Sequence, residues 1–573
     1  MRVVINNQEY SFKNEMTILE ACHEIGIKIP TLCYLKDVNN EASCRMCVVE
    51  IKGRDNLVPA CNTKIYDGLE IFTNSKKVIN SRKKTLELLI ENHNRSCLTC
   101  DKSGYCKLQE LADTYNIKLL DTENNDIEVL IDDSNHAIVR DNSKCILCNR
   151  CVNFCSKIQG VEAIKRINRG DKTYIGSAYN KELKDTKCIY CGGCVNVCPT
   201  GALMEKSAID KVYEALDNKD LEVVISYAPA VRVTIGEAFG YKIGENVSKK
   251  LNTVLQMMGF NTVLDVSFGA DMTVIEEATE LIERLKASEY LPLMTSCCPA
   301  WVNYIKNFYP EYLSNLSTVK SPLGITGSLC KTYYANEKKI NPKKIFMVTV
   351  MPCIAKKDEI LNRDNATNYN DVDAVLTTRE LIKMIKIAGI NLKDVSGSDF
   401  DNIIGKGNSV IFGTSGGVME TALRYAKEKL EGKGSKNLEY KEVRGSRGVK
   451  EATYLINNKK IKVLVASGIS NIKPYLQSGK INDYHFVEVM ACPSGCINGA
   501  GSPYLSDDIR NFTDYVKLRS SGLYGTENTY KSKKAKDNVL VKEVYKNYLE
   551  EPGSLKAHKI LHTKHKPNKE KKY

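Results

Sequence analysis

The chain has 573 residues, 43% of them hydrophobic, and 82 Lys and Arg against 69 Asp and Glu give a formal charge of +13. That length suits about three to five domains, no apolar stretch approaches the ~20 residues of a membrane span, and the opening MRVVINNQEYSF is not a signal peptide, so a cytoplasmic protein is expected. The lysines are dispersed apart from a solvated tail at 564–573, which speaks against nucleic acid, and 22 cysteines grouped at two- and three-residue gaps speak for metal rather than disulfides.

Residues 1–78 read as a small β-rich domain. The strand-like VVINNQEYSF leads to a helix around 17–26 and then to a loop carrying Cys33, Cys44, Cys47 and Cys61 at gaps of ten, two and thirteen. This pattern resembles plant-type ferredoxins, whose long loop wraps a 2Fe–2S cluster, with a longer first gap. Cys22, on the helix, reads as a buried small hydrophobe. Residues 79–118 are predicted helical, with His93, Cys97, Cys100 and Cys106 between the helices at gaps of three, two and five. One imidazole and three thiolates suit zinc or an iron–sulfur cluster; in a cluster, the neutral imidazole removes one negative charge and raises the reduction potential.

A polar, acidic linker is expected around 119–137. Beyond it Cys145, Cys148, Cys151 and Cys155 form one run, and Cys188, Cys191, Cys194 and Cys198 form a second, closed by Pro199. This internal repeat is of the two-cluster bacterial ferredoxin type, in which the fourth cysteine of each run ligates the other cluster. Cys198 is therefore expected with the first three cysteines and Cys155 with the later three. The insert 164–187 is long, and Ser156 stands where proline is usual.

From residue 208 the texture becomes α/β. Apolar runs at 223–229, 262–268, 345–353, 374–378, 410–413, 462–468 and 486–492 predict buried parallel strands, with helices between them such as 272–285. Three strings follow such runs: TSCCPAW at 295–301, MPCIAKKDE at 351–359 and ACPSGCING at 491–499. They offer Cys298, Cys353, Cys492 and Cys496 as four soft ligands on converging loops, as an iron–sulfur cluster or zinc requires. Cys297 beside the first ligand and Lys356 after the second are what a site that moves protons and binds anionic groups needs. On the helix 272–285, Glu277, Glu280 and Arg284 share one face; spacing alone reads as a solvated ion pair. Cys330 reads as packing, and GTSGGVME at 413–420 lacks the lysine and spacing of a phosphate-binding P-loop.

The three strings resemble the signature of the FeFe hydrogenases, and the resemblance runs from residue 1 to about 565. It implies an α+β multidomain chain: a β-grasp plant-type ferredoxin domain (1–78), a small helical His/Cys3 cluster domain (79–118), a bacterial 2(4Fe–4S) ferredoxin domain (137–207) and a large two-lobed α/β hydrogenase domain (208–573). The implied cofactors are one 2Fe–2S cluster, three accessory 4Fe–4S clusters and an H-cluster. The last is a 4Fe–4S cubane on Cys298, Cys353, Cys492 and Cys496, with Cys496 bridging to a two-iron unit that carries CO, CN and a bridging dithiolate.

By the same resemblance Lys356 donates to a cyanide nitrogen and Cys297 passes protons to the bridging amine. Glu277, Ser317, Glu280 and Arg284 relay protons inward, and Ala228, Pro229, Ala230, Met351 and Met490 line the pocket. The chain departs from the family pattern at Ala230, Ala300, Leu323, Gly324, Ser494, Ala500 and Ser502, none of which is a ligand. The implied activity is reversible reduction of protons to hydrogen by a monomer. Its partners are ferredoxin or flavodoxin and the maturation proteins that build the two-iron unit. The rival readings are a hydrogen sensor and a non-catalytic iron–sulfur relative.

Overall fold

The computed structural model describes residues 1–118, 131–361, 368–432, 440–445 and 448–567. Residues 119–130 of the expected linker and 568–573 of the tail lie outside these. Residues Ile131–Asp132, placed in the linker by sequence, form a short strand against Ile138–Asp141.

The N-terminal segment folds as a five-stranded sheet with one packed helix, Ile18–Glu24. Asn6 and Asn7, both with positive φ, turn Arg2–Ile5 back into Gln8–Ser11. Thr17 and Glu20 close a capping box at the helix start, satisfying two backbone donors that the helix leaves over. The helix Lys76–Glu91 crosses residue 78 without a break and leads to a short helical module ending with Lys107–Thr114. The ferredoxin-like region follows, with a sheet of Leu203–Glu205, Ile138–Asp141 and Ile131–Asp132 and the insert folded as the hairpin Lys165–Ile167/Tyr174–Gly176.

Two four-stranded sheets make the rest. The first is wholly parallel, in the order Thr262–Asp265, Glu222–Tyr227, Ile345–Met351, Ala374–Thr377. The second orders Leu293–Met294, Phe486–Met490, Lys459–Ser467, Gly448–Ile456; its first three strands are parallel and the last is an antiparallel edge. The alternating burial of Gly448–Ile456 fits an edge strand with one face in solvent. One expected strand is absent: 410–413 forms a 3-10 turn, because the preceding segment is bound to the long helix, with the Asn408 and Ser409 amides donating to Asp271.

That long helix, Val266–Ala287, starts earlier than the expected 272–285 because Asp265 caps it, accepting from the Ser267 amide. It runs between the lobes and packs on Pro322–Leu329 so closely that a Cβ at Gly269 would lie 2.4 Å from the Pro322 carbonyl oxygen. The large apolar core of the first lobe and the smaller core of the second both reach Cys298 and Cys353, which therefore sit on the seam. Buried ion pairs tie the N-terminal modules to the lobes: Arg150 to Asp507 at 2.5 Å and Arg379 to Glu205 at 2.9 Å.

Candidate active site

Cys298 follows the strand Leu293–Met294, Cys353 follows Ile345–Met351, and Cys492 follows Phe486–Met490; Cys496 lies four residues further on, in the same loop. The loops converge as the ends of parallel strands do at a seam between lobes, and all four thiols line one cavity of about 80 Å³. Ala228, Pro229, Ala230, Met351 and Met490 line it too, making the wall apolar, and Cys297 and Lys356 complete it. Burial pushes each of the four thiols up, and the other thiols nearby add to the rise at Cys353, Cys492 and Cys496.

Gly495 allows this loop to close: with φ +93°, a Cβ there would lie 2.6 Å from the Ser415 amide nitrogen. Ser494, which stands where the family pattern has glycine, also has a positive φ of 72°. The glycines at 416 and 417 open a helix whose first amides are already taken. The Glu488 carboxylate accepts from Gly416 and Met419 at 2.7 Å each, so this N-terminus has no vacancy for a phosphate.

Lys356 is buried, yet its ammonium is fully engaged. It lies 2.5 Å from Glu359 Oε2 and donates to Ser321 Oγ (2.8 Å) and the Cys297 carbonyl oxygen (3.1 Å). Burial works to lower its pKa, but Glu359 together with Cys353 and Cys297 outweighs it and the net shift is upward. From Cys297 a line of buried groups leads away. Burial raises the Cys297 thiol's pKa, and among its neighbours Glu277 adds most to the rise. Burial and the neighbouring Glu280 push Glu277 itself up to about 8, against the hydrogen-bonding contact with Ser317. Ser317 Oγ donates to Glu280 Oε2 (2.8 Å), and Glu280 pairs with Arg284 at 2.7 Å. Arg284 is further fixed by donating to the carbonyl oxygens of Tyr290, Ser314, Asn315 and Leu316.

The other cysteine groups also gather. Cys33 is paired with Cys44 and Cys47 with Cys61, each pair through a shared thiol hydrogen bond. Cys145, Cys148, Cys151 and Cys198 line one small cavity, so the fourth thiol there comes from the second run, as the crossed repeat predicts. Cys155, Cys188, Cys191 and Cys194 act on one another electrostatically. His93 is buried and its Nδ1 has no hydrogen-bond partner, while Cys100 acts electrostatically on Cys106 and Cys97 is exposed.

Among the described residues no three His, Cys, Asp or Glu side chains draw close enough for one metal ion. The Cys298, Cys353, Cys492, Cys496 quartet and the Cys145, Cys148, Cys151, Cys198 quartet each ring a void, as a multi-iron group needs and a zinc ion at about 2.3 Å from each sulfur does not. The groups adjoin in series: the Asn39 amide bridges the Cys33 and Cys148 carbonyls (2.7 and 3.0 Å), a Cβ at Gly201 would meet Cys100 Sγ, and Cys155 and Cys191 pack on the core that holds Cys298 and Cys353.

Sequence reasoning missed Ser321 and Glu359 as partners of Lys356, and missed Thr318, Glu276 and His562 beside Glu280. No local pattern marks them, because His562 meets Thr318 across 244 positions. Cys22 and Cys330 are buried in apolar cores, burial pushing each thiol up to about 12.

Residues 221–500 match the family model for the C-terminal domain of the iron-only hydrogenase large subunit, and 513–568 match that of the iron hydrogenase small subunit. The chain is 42% identical to iron hydrogenase 1 of Clostridium pasteurianum, over 98% of this chain and 99% of the relative. The chain belongs to the iron-only hydrogenases.

Its front modules match models of a 2Fe-2S iron-sulfur cluster binding domain (1–76), the NADH-ubiquinone oxidoreductase-G iron-sulfur binding region (82–119) and the ferredoxin-like domain of NADH-quinone oxidoreductase subunit 3 (135–204). A subunit of the NADP-reducing hydrogenase of Solidesulfovibrio fructosivorans is 40% identical over 98% of both chains. A solved FeFe hydrogenase of Chlamydomonas reinhardtii, in variant form, superposes with a TM-score of 0.56 at 33% identity, covering 62% of this chain and 98% of that one. This hydrogenase is thus a multidomain mixed α/β protein with iron–sulfur modules ahead of its large domain, and no described helix is long and apolar enough to cross a membrane.

Proposed function

We propose that this hydrogenase catalyses the reversible reduction of protons to hydrogen at the seam between its lobes. The observation that carries the proposal is the apolar cavity in which four thiols, a further thiol and an ammonium meet. Cys298, Cys353, Cys492 and Cys496 would hold the H-cluster. That donor set suits it: soft thiols around a void, with apolar Met351, Met490 and Ala228–Ala230 keeping water out. When bound, the group supplies the open metal site and the electrons for heterolytic hydrogen chemistry.

The protein's own residues hold and move the proton. Cys297 Sγ presents it at the cavity and is recharged from the Glu277 carboxyl, whose raised pKa keeps it protonated near neutrality. Ser317 Oγ connects Glu277 to Glu280. Arg284 fixes Glu280 in place; a guanidinium does not give up its proton, so Arg284 is an anchor and not a carrier. Lys356 brings positive charge to the cavity wall, held there by Glu359 and Ser321.

The four front groups would carry electrons: a 2Fe–2S cluster on Cys33, Cys44, Cys47 and Cys61, and 4Fe–4S clusters on His93 with Cys97, Cys100 and Cys106 and on the two crossed quartets. The orphaned Nδ1 of buried His93 supports a ligand there. The series of contacts supports a route in which the first two groups feed the Cys145 quartet, then the Cys155 quartet, then the cavity. A ferredoxin or flavodoxin is the electron partner we assign, to a cytoplasmic monomer matured by dedicated proteins. Kinship with a subunit of an NADP-reducing hydrogenase supports a second reading, that the chain joins a larger assembly. Hydrogen evolution from reduced viologen by anaerobic, matured protein tests the function. Evolution by the parent and its loss in Cys297→Ala are expected; no evolution at full iron loading would return the chain to the sensor or carrier reading.

A further inference from the structure

The C-terminal segment brings an imidazole to the outer end of the carboxyl line. The helix Leu555–Leu561 ends at His562, and the backbone then clasps the 317–320 segment: Lys320 N donates to Leu561 O (2.8 Å) and Thr563 N to Thr318 O (2.7 Å). This register sets His562 Nδ1 2.8 Å from Thr318 Oγ1, and the Thr318 hydroxyl is 3.3 Å from Glu280 Oε1. On the other side His562 Nε2 lies 3.2 Å from Glu276 Oε2, a buried carboxylate also held by the Tyr545 hydroxyl (2.6 Å) and the Gly553 amide (3.0 Å). The exposed ring of His558 lies against His562, centroids 4.0 Å apart, so the imidazole is one ring away from solvent.

Glu280 therefore has two outward neighbours. Arg284 cannot deprotonate. An imidazole both takes and gives a proton near neutral pH, and a threonine hydroxyl, donor and acceptor at once, can link it to a carboxylate. We propose that His562 is a proton-delivering residue of this hydrogenase, acting on Glu280 through Thr318, with Glu276 orienting its ring; the proposal rests on the hydrogenase reading.

In the inward step the His562 Nδ1–H proton passes to Thr318 Oγ1 as the Thr318 hydroxyl proton passes to Glu280 Oε1. One N–H and one O–H bond break and two O–H bonds form. Imidazolium and carboxylate become imidazole and carboxylic acid. The titratable groups around the His558–His562 pair are Glu276, Glu280 and Glu283 of the long helix, Tyr425 of the helix Gly417–Glu431, Tyr545, and His565 on the same segment.

The test measures hydrogen evolution from reduced viologen between pH 6 and 9 in T318V, T318S and H562Q of the full-length matured enzyme. Removing the hydroxyl or the imidazole should cost about tenfold at pH 8, where hydronium is scarce, with the deficit shrinking toward pH 6 and T318S recovering most of the rate. Parental rates in T318V at every pH would overturn the proposal, as would a pH-independent deficit that T318S shares, the mark of lost packing. T318V carries the test if H562Q fails to fold.

Nitrogen-15 spectra of histidine-labelled protein, with only seven histidines in the chain, separate this inference from the functional reading. The His562 Nδ1 resonance should move in T318V even if the parent evolves no hydrogen. An unmoved resonance would overturn the connection, whereas an inactive parent with a moved resonance would defeat the function alone.

Discussion

Glu277→Gln should make the protein more stable at alkaline pH while disabling it. Burial, then the neighbouring Glu280, raises the Glu277 carboxyl from 4.5 to about 8. The unfolded chain sheds this proton near pH 4.5 and the folded chain holds it to about pH 8. Stability from this group is therefore complete below about 4.5, declines as pH rises, and is fully lost above about 8. At about 1.4 kcal/mol per unit, the decline amounts to on the order of 5 kcal/mol.

Glutamine does not titrate and escapes that loss. It introduces a new cost, since Glu277 Oε2 has no partner in the folded protein, and an orphaned amide there costs about 1–3 kcal/mol. The net gain at pH 9 is about 2–4 kcal/mol. Thermal midpoints of parent and variant, measured anaerobically from pH 5 to 9, should diverge as pH rises, while the variant's hydrogen evolution falls by about 10²–10⁴. Parallel midpoints, or an active variant, would refute both the buried acid and its place in proton delivery.

Three further outcomes follow from other residues. Arg379→Ala strands buried Glu205, whose carboxyl Arg379 holds down at about 2 against burial. The loss should be about 3–5 kcal/mol near neutral pH. It should vanish as pH falls from about 4.5 toward 2, because the pair stabilises the fold only while Glu205 is ionised; limited proteolysis at the junction after Glu205 should quicken. Ser494→Gly, at φ 72°, should raise stability by about 1 kcal/mol in chemical denaturation, since glycine adopts that conformation without strain. His93→Ala should remove roughly four iron atoms per chain by metal analysis, where a zinc site would lose zinc and no iron.

Much of the chemistry was legible in sequence because iron–sulfur ligation is local. Cys145, Cys148 and Cys151 lie within one loop and turn, so their spacing alone predicts a shared void, and even the exchange of Cys198 for Cys155 follows from the repeat. The strands at 345–351 and 486–490 announced themselves as short, largely apolar runs carrying several valines. The 410–413 run misled for the converse reason: its apolar residues are buried under the Asp271 hydrogen bonds of the long helix, an interaction formed across about 138 positions.

Glu277, Glu280 and Arg284 looked like a solvated helix face, and only the packing of 314–318 over that face turns it inward. His562, Thr318 and Glu276 were invisible altogether, since their meeting depends on the C-terminal segment folding back across the long helix. Ligand spacing is written in short stretches; proton routes are written in tertiary contacts.

Exchange of deuterium gas with water protons tests the central claim most directly, because it needs the cavity and the proton route but no external electron donor. Matured protein under D2 in H2O should release HD, detected by mass spectrometry, and Cys297→Ala with the same iron content should release almost none. A fully iron-loaded, folded parent that forms no HD would contradict the account.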